Sequence, residues 1–204
     1  KFQYQTKSYG IMERKINVLL IGEAGVGKTK FACSIHHKDY ETYTPTLGVD
    51  FIHSSQECNG IKFELQTWEV STNKMSLLCT IKQKFDCVLL CTSCEIKKSI
   101  EGMLKIQDIL SETMCKNTIF ILMCCKLDIL ANYAPIEFHY FLKELQNKTS
   151  NLTIPVLISS AETGFYVHED FQMMIELITK RNPIQISVSQ VIEEFQQREG
   201  ILNF

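Results

Sequence analysis

The sequence predicts an α/β protein: six short strands, most of them parallel, in one sheet with helices on both faces and an extra C-terminal helix. Three observations predict it. Apolar runs of strand length alternate with stretches of helical period. The first run leads through a Gly-rich turn directly into a helix. Asn59-Gly60, flanked by extended segments, marks a two-residue hairpin, which makes one edge strand antiparallel to an otherwise parallel sheet.

Taken in order, Ile16–Ile21 reads as a buried first strand, and the first helix runs from about Lys28 to His36. A polar loop rich in Tyr and Thr follows, from His37 to Leu47. Val49–Cys58 and Ile61–Trp68 are the two arms of the hairpin. Cys87–Cys91, Thr118–Met123 and Ile154–Ile158 supply three more strands. Helical period appears over Ser99–Met114, Ile136–Leu145 and His168–Thr179. Beyond Pro183, Val188–Glu199 is amphipathic, with Val188, Val191, Ile192 and Phe195 on one face. The expected organisation is an N-terminal extension (1–13), one main domain (14–180) and a C-terminal extension with that helix (181–204).

Composition narrows the functions. A chain of 204 residues with 45% apolar content buries one domain and an appendage. Lys+Arg of 21 against Asp+Glu of 23 leaves a net charge of −2, and no basic run stands out, so nucleic acid is not an expected partner. Nine cysteines, an odd number, fall partly within apolar runs, as free thiols in a reducing compartment do. No apolar run approaches a membrane span.

The decisive motif is Gly22-Glu23-Ala24-Gly25-Val26-Gly27-Lys28-Thr29, which fits the phosphate-binding P-loop and lies between a strand and a helix. Glycines let the backbone turn tightly and aim successive N–H groups at phosphate oxygens. Lys28 brings a charge to the terminal phosphates, and the Thr29 hydroxyl is a ligand for Mg²⁺. The helix that starts there adds its positive dipole end.

Other segments make the resemblance specific. Tyr43-Thr-Pro-Thr46-Leu-Gly-Val-Asp-Phe51 resembles the first switch of a Rab GTPase, and Phe63-Glu-Leu-Gln-Thr-Trp68 the strand leading to the second. Cys125-Lys126-Leu-Asp128 stands where that family carries Asn-Lys-x-Asp, and Ser160-Ala161-Glu162 where it carries Ser-Ala-Lys. In order and spacing these segments are similar to a Ras-superfamily, Rab-like small GTPase, implying the small-GTPase form of the P-loop NTPase fold, with GTP or GDP and Mg²⁺ as cofactors. The resemblance implies that Thr29, Thr46 and Glu69 serve the metal, that Tyr43 flanks the phosphates and that Tyr40 packs on the base. Asp128 would accept hydrogen bonds from the guanine N1–H and exocyclic amine, donors that adenine lacks. Lys126 would lie along the base, and Ala161 would offer its N–H to the guanine O6.

The departures concern hydrolysis and base affinity. Where the family reads Asp-Thr-Ala-Gly-Gln, this chain reads Glu69-Val70-Ser71-Thr72-Asn73. Thr72 crowds the approach to the γ-phosphate. Asn73, the catalytic candidate, is a weak substitute for Gln, its amide roughly 1.5 Å short. Misplacement on the order of 1 Å costs about 10²-fold in rate, so slow or absent intrinsic hydrolysis is expected. Cys125 in place of Asn loosens the guanine site, and Glu162 in place of Lys changes a charge beside it.

Three functions remain open. One is a nucleotide-dependent switch or scaffold of vesicle traffic, presenting residues 40–51 and 69–80 to protein effectors or an exchange factor. The second is an active GTPase completed by a partner's arginine finger. The third is a structural pseudo-GTPase in a larger assembly. A cytoplasmic location, peripheral on endomembranes, is expected. Membrane contact should be indirect, since Ile201-Leu-Asn-Phe204 has no prenylation motif. Cys91-Thr-Ser-Cys94 and Cys124-Cys125 read as buried or loop thiols, since the second pair lacks zinc-ligand spacing and no His cluster adjoins it, and His36-His37 reads as a solvated helix end.

Overall fold

The computed structural model describes residues 14–40, 48–81, 83–94, 99–132, 143, 147, 154–179 and 188–198. The helix expected over 136–145, and Tyr43 and Thr46, lie outside the described residues apart from position 143.

The six strands are β1 (Arg14–Gly22), β2 (Val49–Cys58), β3 (Ile61–Ser71), β4 (Cys87–Ser93), β5 (Ile119–Cys125) and β6 (Val156–Ile158), ordered β2-β3-β1-β4-β5-β6. Only β2 runs antiparallel, pairing with β3 across Asn59 and Gly60. Both turn residues have positive φ, 51° and 75°, the geometry that favours Asn-Gly in a two-residue hairpin. The central strands β1 and β4 are buried on both faces, hence their unbroken apolar runs.

Helices α1 (Lys28–Ile35), α2 (Ser99–Thr113), α3 (Val167–Ile178) and α4 (Val188–Arg198) cover the sheet. Phe31 and Ile35 of α1 join Phe171, Met174 and Ile175 of α3 over one face. Ile100, Met103 and Leu110 of α2 join Val191 and Phe195 of α4 over the other. The amphipathic stretch after Pro183 is thus a docked helix, with Phe195 fully buried. No helix among the described residues is long and apolar enough to cross a membrane.

Two expectations change. β3 continues three residues past Trp68, so Glu69 and Ser71 belong to a strand and not to a loop; a 3₁₀ segment, Thr72–Thr80, follows. The extension has a partner along its whole length, since Glu69, Val70 and Ser71 pair with Leu20, Ile21 and Gly22 of β1. His36 is not solvated. Only His37 is exposed, while His36 is 4% exposed and bridges the Ser54 and Thr67 hydroxyls at 2.6 and 2.7 Å. Burial, then the nearby Lys38, His53 and His37, lowers its pKa to about 4.

Candidate nucleotide-binding site

The phosphate cradle grows from the end of β1. Gly22 lies level with Ser71 of β3 and Cys91 of β4, and a Cβ on Gly22 would strike the Cys91 carbonyl. Gly25 and Gly27 take positive φ, 81° and 110°, and α1 starts immediately after Gly27. A Cβ on Gly27 would sit 3.1 Å from the Cys125 Cβ, so the loop rests directly on β5. Cys125 is buried, and the neighbouring Cys91 thiol donates to the Leu89 carbonyl at 3.5 Å, its pKa raised by burial and by the Cys125 thiol nearby. At this position the chain has a floor for the P-loop.

The loop bounds a cleft of about 300 Å³ lined by Ala24, Gly25, Gly27, Lys28, Thr29 and Lys30, with Tyr40, Glu69, Ser71 and Lys126 opposite. Lys28 is 4% exposed, and its ammonium donates to the carbonyls of Gly22 (3.1 Å) and Glu23 (2.8 Å). It also lies 3.8 Å from the Glu69 carboxylate. The Thr29 hydroxyl donates to Glu69 Oε1 at 2.9 Å. Bonds of ~2.1 Å set adjacent ligands of octahedral Mg²⁺ about 3 Å apart, so this oxygen pair fits that cation. The Glu69 carboxylate thus reaches both the Thr29 hydroxyl and the Lys28 ammonium.

Ser71 and Lys30 were not expected in the site. Ser71 enters by the strand period: two residues after Glu69, it shares the cleft-facing side once β3 is extended. Lys30 pairs with Glu162 and places its ammonium 5.6 Å from the Tyr40 ring centroid. The charge change at Glu162 is thus answered from α1, and the pair links α1 to the turn after β6. Asn73 is exposed on the 3₁₀ segment and is not among the lining residues.

The base-reading candidates assemble beside this cleft. Lys126 follows β5 in the left-handed region (φ 62°), and the 3₁₀ turn Leu127–Asn132 carries Asp128. The Ser159 N–H donates to the Cys124 carbonyl (3.1 Å) and the Leu127 N–H to the Ser159 carbonyl (3.3 Å), joining the 125–128 and 159–162 segments. The buried Ser160 hydroxyl donates to Asp128 Oδ1 at 2.5 Å, leaving the half-buried carboxylate with further acceptor capacity. Ala161 is half-buried next to it, and Val26 packs beneath the P-loop.

Comparison with known proteins agrees with this arrangement. The Ras family model matches residues 17–180. Ras-related protein Rab-15 of Homo sapiens is 36% identical over 66 residues, 32% of this chain and 30% of that protein. Ras-related protein RABC2b of Arabidopsis thaliana is 35% identical over 54 residues, 26% of each. Ras-related protein Rab-1A of Dictyostelium discoideum is 25% identical over 167 residues, 80% of each. The chain thus spans under a third of the length of the Rab-15 proteins it matches, and most of the length of Rab-1A. With strand order, P-loop and family match in agreement, this chain belongs to the Ras family, as a Rab-like member.

Proposed function

We propose that this chain binds GDP or GTP with Mg²⁺ as a Rab-like switch or scaffold and hydrolyses GTP slowly or not at all. The observation that carries the reading is the convergence of Lys28, Thr29 and Glu69 on one cleft at the P-loop. Thr29 and Glu69 would hold the metal, which would neutralise phosphate charge there. Lys28, buried and already held by two loop carbonyls, needs little reordering to meet the terminal phosphates. Asp128, oriented by Ser160, would select guanine.

The exposed, non-lining Asn73 supports slow hydrolysis, because a water-orienting amide must reach the γ-phosphate. For partners, Phe51 is 42% exposed at the edge of the sheet and packs against the Trp68 ring, centroids 4.7 Å apart and planes tilted by 54°. An exposed aromatic at the end of segment 40–51 suits an effector or exchange factor. Vesicle traffic, peripheral to endomembranes, is the cellular role the Rab resemblance implies. The test is chromatography of nucleotide released by heating the purified protein, with titration of added GTP. Guanine nucleotide is expected; a protein that arrives empty and ignores GTP refutes the reading.

A further inference from the structure

We infer that helix α4 is a positioning element for the base-reading end of the site, acting on Asp128 through Phe195, Arg198 and Glu194. The inference rests on the proposal that Asp128 reads guanine. It starts from what holds Asp128. The Ser160 hydroxyl donates to its carboxylate and itself accepts the Thr163 N–H at 3.2 Å. The Ser160 N–H donates to the Phe165 carbonyl at 3.0 Å, closing the 160–165 turn as a small antiparallel bridge. The geometry of Asp128 therefore depends on where Phe165 sits.

Helix α4 sets that place. The Phe195 ring meets the Phe165 ring edge-on, with centroids 5.2 Å apart and planes at 70°. The Arg198 guanidinium lies 5.4 Å from the Phe165 centroid, within cation–π range. The next residue, Tyr166, is in the left-handed region (φ 59°), which a side chain with a Cβ adopts only under restraint. Its hydroxyl donates to the Glu194 carboxylate at 2.5 Å. Three α4 side chains thus grip Phe165, which closes the turn, and Tyr166, which follows it. The phosphate end is held separately, by the mutual bonds of Lys28, Thr29 and Glu69 and by the loop carbonyls. Loosening α4 frees the base edge and leaves the phosphates gripped. A partner that draws α4 off Phe165 accelerates nucleotide release.

The test compares the full chain with Arg198→Gln and Phe195→Leu, using GDP and inosine diphosphate, which lacks the exocyclic amine that Asp128 would accept. Competition against a fluorescent guanine nucleotide gives both affinities. Arg198 is exposed, so its variant should fold, and GDP affinity should fall about 2- to 5-fold. Phe195→Leu should cost about 2- to 10-fold. In both, GDP should weaken more than the inosine nucleotide, which keeps the N1–H and lacks only the amine, so the GDP-to-inosine ratio should shrink. Equal weakening of both nucleotides shows a merely structural role and overturns the inference, as does an unchanged ratio. A wild-type chain that binds neither nucleotide refutes the underlying reading instead, and this inference with it.

Discussion

Gly22→Ala tests whether strand packing, and not loop composition alone, builds the phosphate cradle. The new Cβ would overlap the Cys91 carbonyl oxygen and lie 3.1 and 3.2 Å from the Cys91 carbonyl carbon and Cβ. The neighbour is backbone of β4, paired with β1 at this register, so it cannot swing aside. Relief requires the end of β1 to retreat by on the order of 1 Å, since carbon contacts settle near 3.5–4.0 Å. Overpacking of this kind costs about 1–3 kcal/mol of stability. The Gly22 carbonyl is also one of the two acceptors that aim Lys28, at 3.1 Å. Misaligning one charge-assisted hydrogen bond is worth about 1.5–3 kcal/mol, or roughly 10- to 100-fold in Kd. Gly25→Ala is the control: its added Cβ meets nothing within 4 Å, so only the left-handed backbone (φ 81°) resists it, at about 1–2 kcal/mol. Fluorescent GDP titration and urea unfolding read both variants. If Gly22→Ala loses no more affinity than Gly25→Ala, the β1–β4 contact does not position the cradle.

Single-turnover phosphate release should be slower than in ordinary small GTPases, and Asn73→Gln alone should restore little, because the residue is exposed and outside the cleft lining; a typical rate in the wild type contradicts this. Glu162→Lys replaces the Lys30 ion pair with two cations at the cleft, so nucleotide association should quicken at low salt and revert at high salt. Stability should change by under about 1 kcal/mol, the worth of an exposed pair, and stopped-flow mixing across ionic strengths decides the matter. His36, with a pKa of 6.5 unfolded and about 4 folded, contributes stability that is present above pH 6.5 and lost as pH falls toward 4, at most about 3 kcal/mol. Asp170, whose buried carboxyl is held well above the usual range, pulls the opposite way, so wild type and His36→Gln must be compared at each pH. A gap between them that does not narrow on acidification contradicts the assignment.

Several features were legible in the residues themselves. The buried first strand, the Asn59-Gly60 hairpin and the P-loop at a strand–helix junction each rest on local patterns: apolar run, positive-φ turn residues, glycines beside Lys28 and Thr29. Such patterns survive because strand period and turn conformation are decided within a few residues. Ser71 and His36 were misplaced because their environment comes from other parts of the chain. β1 lends β3 three more paired residues, and Ser54 and Thr67 replace the water around His36. From the local sequence the strand ends at Trp68, short of Ser71, and His36 stands in solvent.

By itself, the sequence determined the fold class, the family and the place of the P-loop, because those depend on residue types at fixed spacings. Only the tertiary structure decided how the altered positions are used. Cys125 became the floor beneath Gly27, Glu162 found a counter-charge in Lys30, and Phe195 closed on Phe165. Each of these pairs joins segments far apart in the chain, and the sheet order and helix docking that bring them together cannot be read from either segment alone.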